Sequence, residues 1–381
     1  MRRWWASIAC VMIASVTVRL VPSAPNGLPY GFDVYDVVSR IRTAMSTGKF
    51  GESMPQGPLL YSLLCELVIL GGLKPETVLS VVAPALLSLS VIPAILYAKK
   101  SLDDEFAAIA AGILASSTNM IVHQTGGTVV PEGLGITFAG FFLSLFIKTK
   151  WKDRKNALLI SIAALGTLAS HHLTTFNVIL GIIVASLFTA VAAAKKGKIG
   201  SEARKIVLLS IPLASAAVLI WAFAAPQHTF EVISLTLKEA NGLTLAGGAS
   251  LATFAVAAMG RAIWRPKARS RAAGKPLLFA IATFFASLAI PLIFHWAGVM
   301  DSGTLRAILY VGVPLSVVYL PLSAAGLTFI VNSGMDDRSL ACLAAFPTAC
   351  LSLGVFLALQ PGFGSLAYRE VTFMLYSVLP I

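Results

Sequence analysis

The stretch TVLSVVAPALLSLSVIPAILYA, residues 77–98, holds no charged residue. It is long enough to cross a bilayer, which takes about 20 apolar residues in a helix. The run LTTFNVILGIIVASLFTAVAAA, residues 173–194, repeats the pattern. Around them the 381-residue chain is 57% hydrophobic and 12% charged, where a soluble domain carries roughly a quarter charged residues. These features predict an all-α, polytopic membrane protein. Expected spans run over 4–22, 76–98, 105–122, 129–147, 156–170, 173–194, 206–225, 242–260, 276–297, 305–331 and 339–360, about eleven transmembrane helices by apolar patterning. They make residues 1–381 a single integral membrane domain, with no soluble domain.

The segment PLLYSLLCELVILGG, residues 58–72, stays outside that count. It is short, carries Glu66 and closes on Gly-Gly, and a run of that length suits the interface better than the bilayer interior. Placing it on the outer surface orients everything after it. The loops KKSLDDE, KTKWKDRK, KKGKIGSEARK, RAIWRPKARSRAAGK and NSGMDDR then all fall inside. With the N-terminus they gather 21 of the 29 Lys and Arg, but only 7 of the 17 Asp and Glu. Basic residues in short loops stay cytoplasmic, so the expected location is the cell membrane, multi-pass, with a cytoplasmic N-terminus. The net charge of +12 is a topogenic signal and calls for no nucleic-acid partner.

Two other readings fall away. Cys10, Cys65, Cys342 and Cys350 lie in apolar runs and form no CxxC, so neither a disulfide framework nor a structural zinc site is expected. The start, MRRWWASIACVMIASVTVRLVPSAP, has the basic head of a signal peptide. Its apolar stretch is long and ends in Arg19, which makes it a retained first span.

Under this orientation the remaining ionisable residues collect outside. The first outer loop is YGFDVYDVVSRIRTAMSTGKF, residues 30–50. Asp33 and Asp36 share a helix face at that spacing, and Asp36 can pair with Arg40 four residues on. The apolar and basic residues of VVSRIRTAM have the spacing of a helix lying in the interface. The second outer loop, HQTGGTVVPEGLG, puts Glu132 just after Pro131, close to the start of an uncharged span. A carboxylate there is costly unless used or paired, or it serves the helix dipole at a helix start. A third outer turn, SHHLTTF, carries His171 and His172. His123, His228 and His295 map to the same side, as do Arg19, Glu231, Arg306 and Arg369. Histidine holds phosphate, binds metals or moves protons near neutral pH; a terminal arginine snorkels or holds an anion.

The order of these parts resembles the GT-C class of membrane glycosyltransferases, which includes protein O-mannosyltransferases and the catalytic subunit of oligosaccharyltransferase. Over residues 1–195 there is a first span ending in Arg19. GFDVYDVVSRIRTAMSTGKF is similar to the first-loop acidic motif, and PQGPLLYSLLCELVILGG to the interfacial helix. Then come a span pair, the acidic second loop TGGTVVPEG, and a span pair broken by HHLT. Residues 196–381 would add further transmembrane helices. The resemblance implies transfer of a sugar from a polyprenyl-phosphate or polyprenyl-diphosphate carrier to an acceptor glycan, lipid or protein, on the extracytoplasmic side. It matches Asp33 to the first-loop catalytic carboxylate and Glu132 to the second-loop acid, with Asp36 beside them.

Inverting transfer needs a carboxylate to take the acceptor's proton, and Asp33 is the candidate general base. The leaving phosphate needs positive charge or hydrogen-bond donors, for which His171, His172, Arg306 and Arg369 are candidates. Alternatively a divalent ion, magnesium or manganese by the hardness of oxygen ligands, would sit on Asp33 and Glu132. Two competing readings remain: a lipid or small-molecule transporter or flippase, and a catalytically inactive assembly partner with the same fold. Membrane lipids are partners in every case.

Overall fold

The computed structural model describes residues 2–31, 33–48, 58–122, 129–147 and 154–195, with isolated positions between 215 and 377. Every regular element among the described residues is helical. They are α1 (Arg2–Leu20), α2 (Asp33–Thr47), α3 (Pro58–Gly71), α4 (Pro75–Leu102), α5 (Glu105–Ser117), α6 (Asn119–Val122), α7 (Pro131–Phe146), α8 (Arg154–Ser170) and α9 (His172–Lys195). Two of the described helices, over Trp4–Ser23 and Pro75–Leu102, are long and apolar enough to cross a membrane; α3, α5, α7 and the first part of α9 are shorter apolar helices. The expected span 105–122 is interrupted, because Thr118 takes an extended backbone between α5 and α6. The expected spans from 206 onward, and Arg306, fall largely or wholly outside the described residues.

The chain divides into two compact units, Met1–Ile179 with Leu209–Ser234, and Leu180–Leu208 with Leu235–Leu379. In the first unit α7 packs along α8 and along the second half of α4, which in turn lies against α5. Helix α5 sits between α1 and α4, and Gly112 is what lets it. A Cβ there would come within 2.7 Å of the Ile95 side chain and 3.1 Å of Val11. In the second unit Leu343, Phe346, Ala349, Cys350, Phe373 and Tyr376 are buried apolar residues.

Helix α4 is not uniformly α-helical. Val78–Val82 forms a π turn and Ser88–Ser90 a 3-10 turn. A proline in a helix lacks the N–H for the carbonyl four residues back, and its ring crowds that carbonyl. For Pro84 the carbonyl is that of Ser80; for Pro93 it is that of Leu89. Each lies inside one of the two irregular turns, so the prolines account for both.

The second break is where α1 docks. Arg19, expected on the outer face, is instead fully buried. Its Nη1 donates to the Ser15 hydroxyl at 2.6 Å and to the Ser15 carbonyl at 3.2 Å, and its Nη2 to the Ser90 hydroxyl at 3.4 Å. The Ser15 hydroxyl donates to the Ser88 carbonyl at 3.3 Å. A 3-10 turn exposes backbone oxygens that an α-helix would occupy, and serines on two helices use them.

At the other end of α4 the chain turns back in two residues. Asp103 is left-handed at φ 56°, with its N–H on the Lys99 carbonyl, and the Asp104 carboxylate accepts from the Ala107 N–H at 2.8 Å to cap α5. Lys99 lies 3.8 Å from Asp103 and 4.0 Å from Glu105, and 6.0 Å from the centre of the Trp4 ring. The acids of KKSLDDE are thus used locally.

Replacing Arg19 by Ala should cost roughly 2–4 kcal/mol, from lost buried hydrogen bonds and the space left behind. Thr17→Ala on the exposed face of the same helix should stay within about 0.5 kcal/mol. Unfolding of the purified protein in detergent measures both, and equal losses would show that Arg19 is not a docking residue.

Candidate functional site

Helix α2 buries one stripe. Val34, Val37, Val38, Ile41 and Ala44 are buried while Asp33, Asp36, Ser39, Arg42 and Thr43 are exposed, the recurrence at three and four residues that marks an amphipathic helix. The stripe does not face lipid, as its spacing alone would allow. It joins Leu60, Tyr61, Leu64, Cys65 and Val68 of α3, Val78, Leu79, Ala83 and Leu87 of α4, and Val129 before α7 in one apolar cluster. An ion pair between Arg42 and Glu76 links α2 to the start of α4. α2, α3, the start of α4 and the stretch before α7 therefore share one core.

The charged residues of α2 lie on its other face. Asp33 is the first residue of the helix and exposed, where a carboxylate favours the helix dipole. Asp36 pairs with Arg40, Oδ2 to Nε at 2.6 Å, as the four-residue spacing predicts. That pair is partly solvated, and such pairs contribute only about 0.3–0.5 kcal/mol.

Glu132 is in a different setting. It opens α7 behind Pro131, and its side chain is only 4% exposed. Its Oε1 lies 3.6 Å from Nε2 of His171, itself 3% exposed. The Thr174 N–H points to Nδ1 of that ring at 3.4 Å, and the Thr174 hydroxyl lies 3.2 Å from the same atom. An N–H can only donate, so Nδ1 carries the lone pair and the ring proton sits on Nε2, facing the carboxylate. The His172 ring is half-buried and tilted against His171, centres 4.6 Å apart.

This pair requires close approach of the α8–α9 turn to α7, and Gly135 permits it. A Cβ at Gly135 would meet the Thr174 hydroxyl at 2.8 Å, its Cβ at 3.1 Å and the His171 Cβ at 3.2 Å.

Tyr61 connects the two settings, and sequence reasoning missed it. It is 3% exposed, on the face of α3 that also buries Leu60, Leu64, Cys65 and Val68. Burial first, with smaller pushes from the Asp36, Asp33 and Glu132 carboxylates and against the pull of the Arg40 guanidinium, raises its phenol to about 12. Residues from both predicted acidic loops thus act on one hydroxyl. The periodicity of α3 could have marked Tyr61 as buried, but not by which charges.

Among the remaining expected residues, Arg369 is half-buried in the second unit. Arg306, His123, His228, His295 and Glu231 lie outside the described residues. No three His, Cys, Asp or Glu side chains gather among the described residues, and the Glu132 carboxylate faces an imidazole, not a second carboxylate. That donor set does not fit the oxygen cage that magnesium takes.

Among the described residues, fold and site together define a helical protein with two helices of membrane-crossing length and a buried acid–imidazole pair. No family model matches the chain, and no curated protein matches it.

Gly135→Ala should destabilise the protein by about 1–3 kcal/mol, the cost of overpacking a closed contact. Gly71→Ala, whose added Cβ would meet only the Leu73 side chain at 3.4 Å, should be neutral. Thermal unfolding of the two variants side by side checks this. A harmless Gly135→Ala would mean that α7 does not approach His171 and Thr174 as described.

Proposed function

We propose that the protein is a GT-C-type membrane glycosyltransferase. In this reading it moves a sugar from a polyprenyl-phosphate or polyprenyl-diphosphate carrier to an acceptor hydroxyl on the extracytoplasmic side. The chain crosses the membrane about eleven times, with the N-terminus and the 99–105 turn inside. The proximity of Lys99 to Trp4 supports placing those two on one side. The observation that carries the proposal is the apolar cluster in which α2, α3, the start of α4 and Val129 share one core, so that the helix bearing Asp33 and the stretch leading to Glu132 are packed on the same elements.

In the proposed step the acceptor oxygen attacks the anomeric carbon of the donor and forms the new glycosidic bond. Its proton passes to the Asp33 carboxylate, which is exposed and free to receive it. The bond from the anomeric carbon to the phosphate oxygen breaks, and its electron pair leaves with the phosphate. Glu132 and His171 hold one proton between Oε1 and Nε2 and keep the imidazole oriented. His172 is the proposed phosphate ligand, and Asp36 holds Arg40 in an ion pair at 2.6 Å.

One observation favours a second reading, a lipid flippase. Transporters build their sites at interrupted helices, and α4 is interrupted where Arg19 is buried.

Purified protein given a pool of radiolabelled polyprenyl-phosphate sugars should transfer or release label. Asp33→Asn and Glu132→Gln should each lower the rate by about 10²–10⁴-fold, the range for a lost acid–base group, while Asp103→Asn should match wild type. No release by wild type from a broad pool would remove the transferase reading. Transbilayer movement of the same lipids in vesicles would then favour the flippase, and neither activity an assembly partner.

A further inference from the structure

His171 is the single residue between α8 and α9. Its main chain keeps helical bonds on both sides: its N–H lies on the Thr167 carbonyl at 3.3 Å, and its carbonyl takes the Thr175 N–H at 3.1 Å. The Thr175 hydroxyl clamps the same two carbonyls, Thr167 at 3.2 Å and His171 at 2.9 Å. Thr174 behaves differently. It is the third residue of α9, and its N–H points to Nδ1 of the His171 ring at 3.4 Å. A side chain that accepts from the third N–H of the helix it precedes is an N-cap.

Histidine caps only through a ring nitrogen that carries no proton. Capping with Nδ1 therefore leaves the proton on Nε2, the atom 3.6 Å from the Glu132 Oε1. With both nitrogens so placed, the ring offers neither a lone pair for an acceptor's proton nor a second N–H for a phosphate. The tilted His172 ring, its centre 4.6 Å away, closes one side of the imidazole. Helix α7 leans on the same cap: Gly135, one turn after Glu132, is where a Cβ would meet the Thr174 hydroxyl at 2.8 Å and the His171 Cβ at 3.2 Å. Residues three apart share a helix face, so Glu132 and this contact lie on one side of α7.

We infer that His171 is a positioning residue for Glu132. As the N-cap of α9 it is locked with its Nε2–H toward the carboxylate, so the break between α8 and α9 sets where that carboxylate lies. The inference rests on the transferase reading only for the use of Glu132 in turnover; the positioning itself stands on the geometry.

The test compares His171→Ala with His171→Asn, each alone and combined with Glu132→Gln, in the purified full chain in detergent. Asparagine is a good N-cap, but its amide ends short of the imidazole Nε2, so it keeps the cap and releases Glu132. Alanine loses both. On heating, His171→Asn should unfold near wild type and His171→Ala below it. With the radiolabelled lipid-linked sugars, His171→Asn should lower kcat about tenfold and leave KM unchanged, the scale of one lost hydrogen bond to a charged group. In the Glu132→Gln background the same change should stay within about twofold, because the effects of contacting residues do not add. Infrared spectra of protein labelled with carbon-13 carboxyl glutamate should show a carboxyl band moved by His171→Asn, and no such movement when Glu132 is already Gln. In an active protein, an unchanged kcat in His171→Asn, or an equal loss in both backgrounds, overturns the inference. So does an unmoved band, or an Asn variant no more stable than the Ala variant. A moved band in a protein that releases no sugar keeps the positioning role and removes the transferase reading.

Discussion

Five apolar side chains on one face of α2 hold the rest of the site in place. Each contributes on the order of 1.5–3 kcal/mol when fully buried, Ala44 less. The exposed Asp36–Arg40 pair on the same helix contributes about a fifth of one such residue. Burial therefore anchors α2 to α3 and to the start of α4, and the ion pairs only set its rotation. With α2 fixed, Asp33 and Asp36 are held on its exposed face. Because Val129 shares the cluster, the start of α7 and its Glu132 are drawn to the same place.

Glu132 shows the opposite balance. A buried carboxylate must be answered by a partner or by neutralisation, and here an imidazole faces it. That partnership depends on Gly135 having no side chain and on the Thr174 N–H fixing the ring. Few groups do the work, and none is replaceable by a neighbour of similar chemistry. The two carboxylate settings are thus unlike in kind, one solvated at a helix start and one enclosed.

The helices were legible where pattern is local. The edges of α3, α7, α8 and α9 fall within a few residues of the apolar runs that predict them, and the Asp36–Arg40 pair follows from spacing alone. Glu132 stood out because a lone acid beside an apolar run needs a reason. What sequence could not supply was partnership at a distance. Periodicity shows that Tyr61 is on a buried face of α3, but only packing joins that face to α2, to the start of α4 and to Val129. Arg19 reads as a residue at the end of a span, and its burial against Ser90 depends on a 3-10 turn that Pro93 creates 74 positions further along the chain. The apolar face of α2 was visible, yet lipid and protein are equally apolar to a pattern.

The turn between α4 and α5 constrains both helices. Asp103 in its left-handed conformation and Asp104 as a cap leave only two residues between the helices. A connection that short gives them no independent choice of orientation. α5 must follow antiparallel to α4 and against it, as one helical hairpin whose tip carries Lys99, Lys100, Asp103, Asp104 and Glu105. Gly112 lets the two arms close on each other.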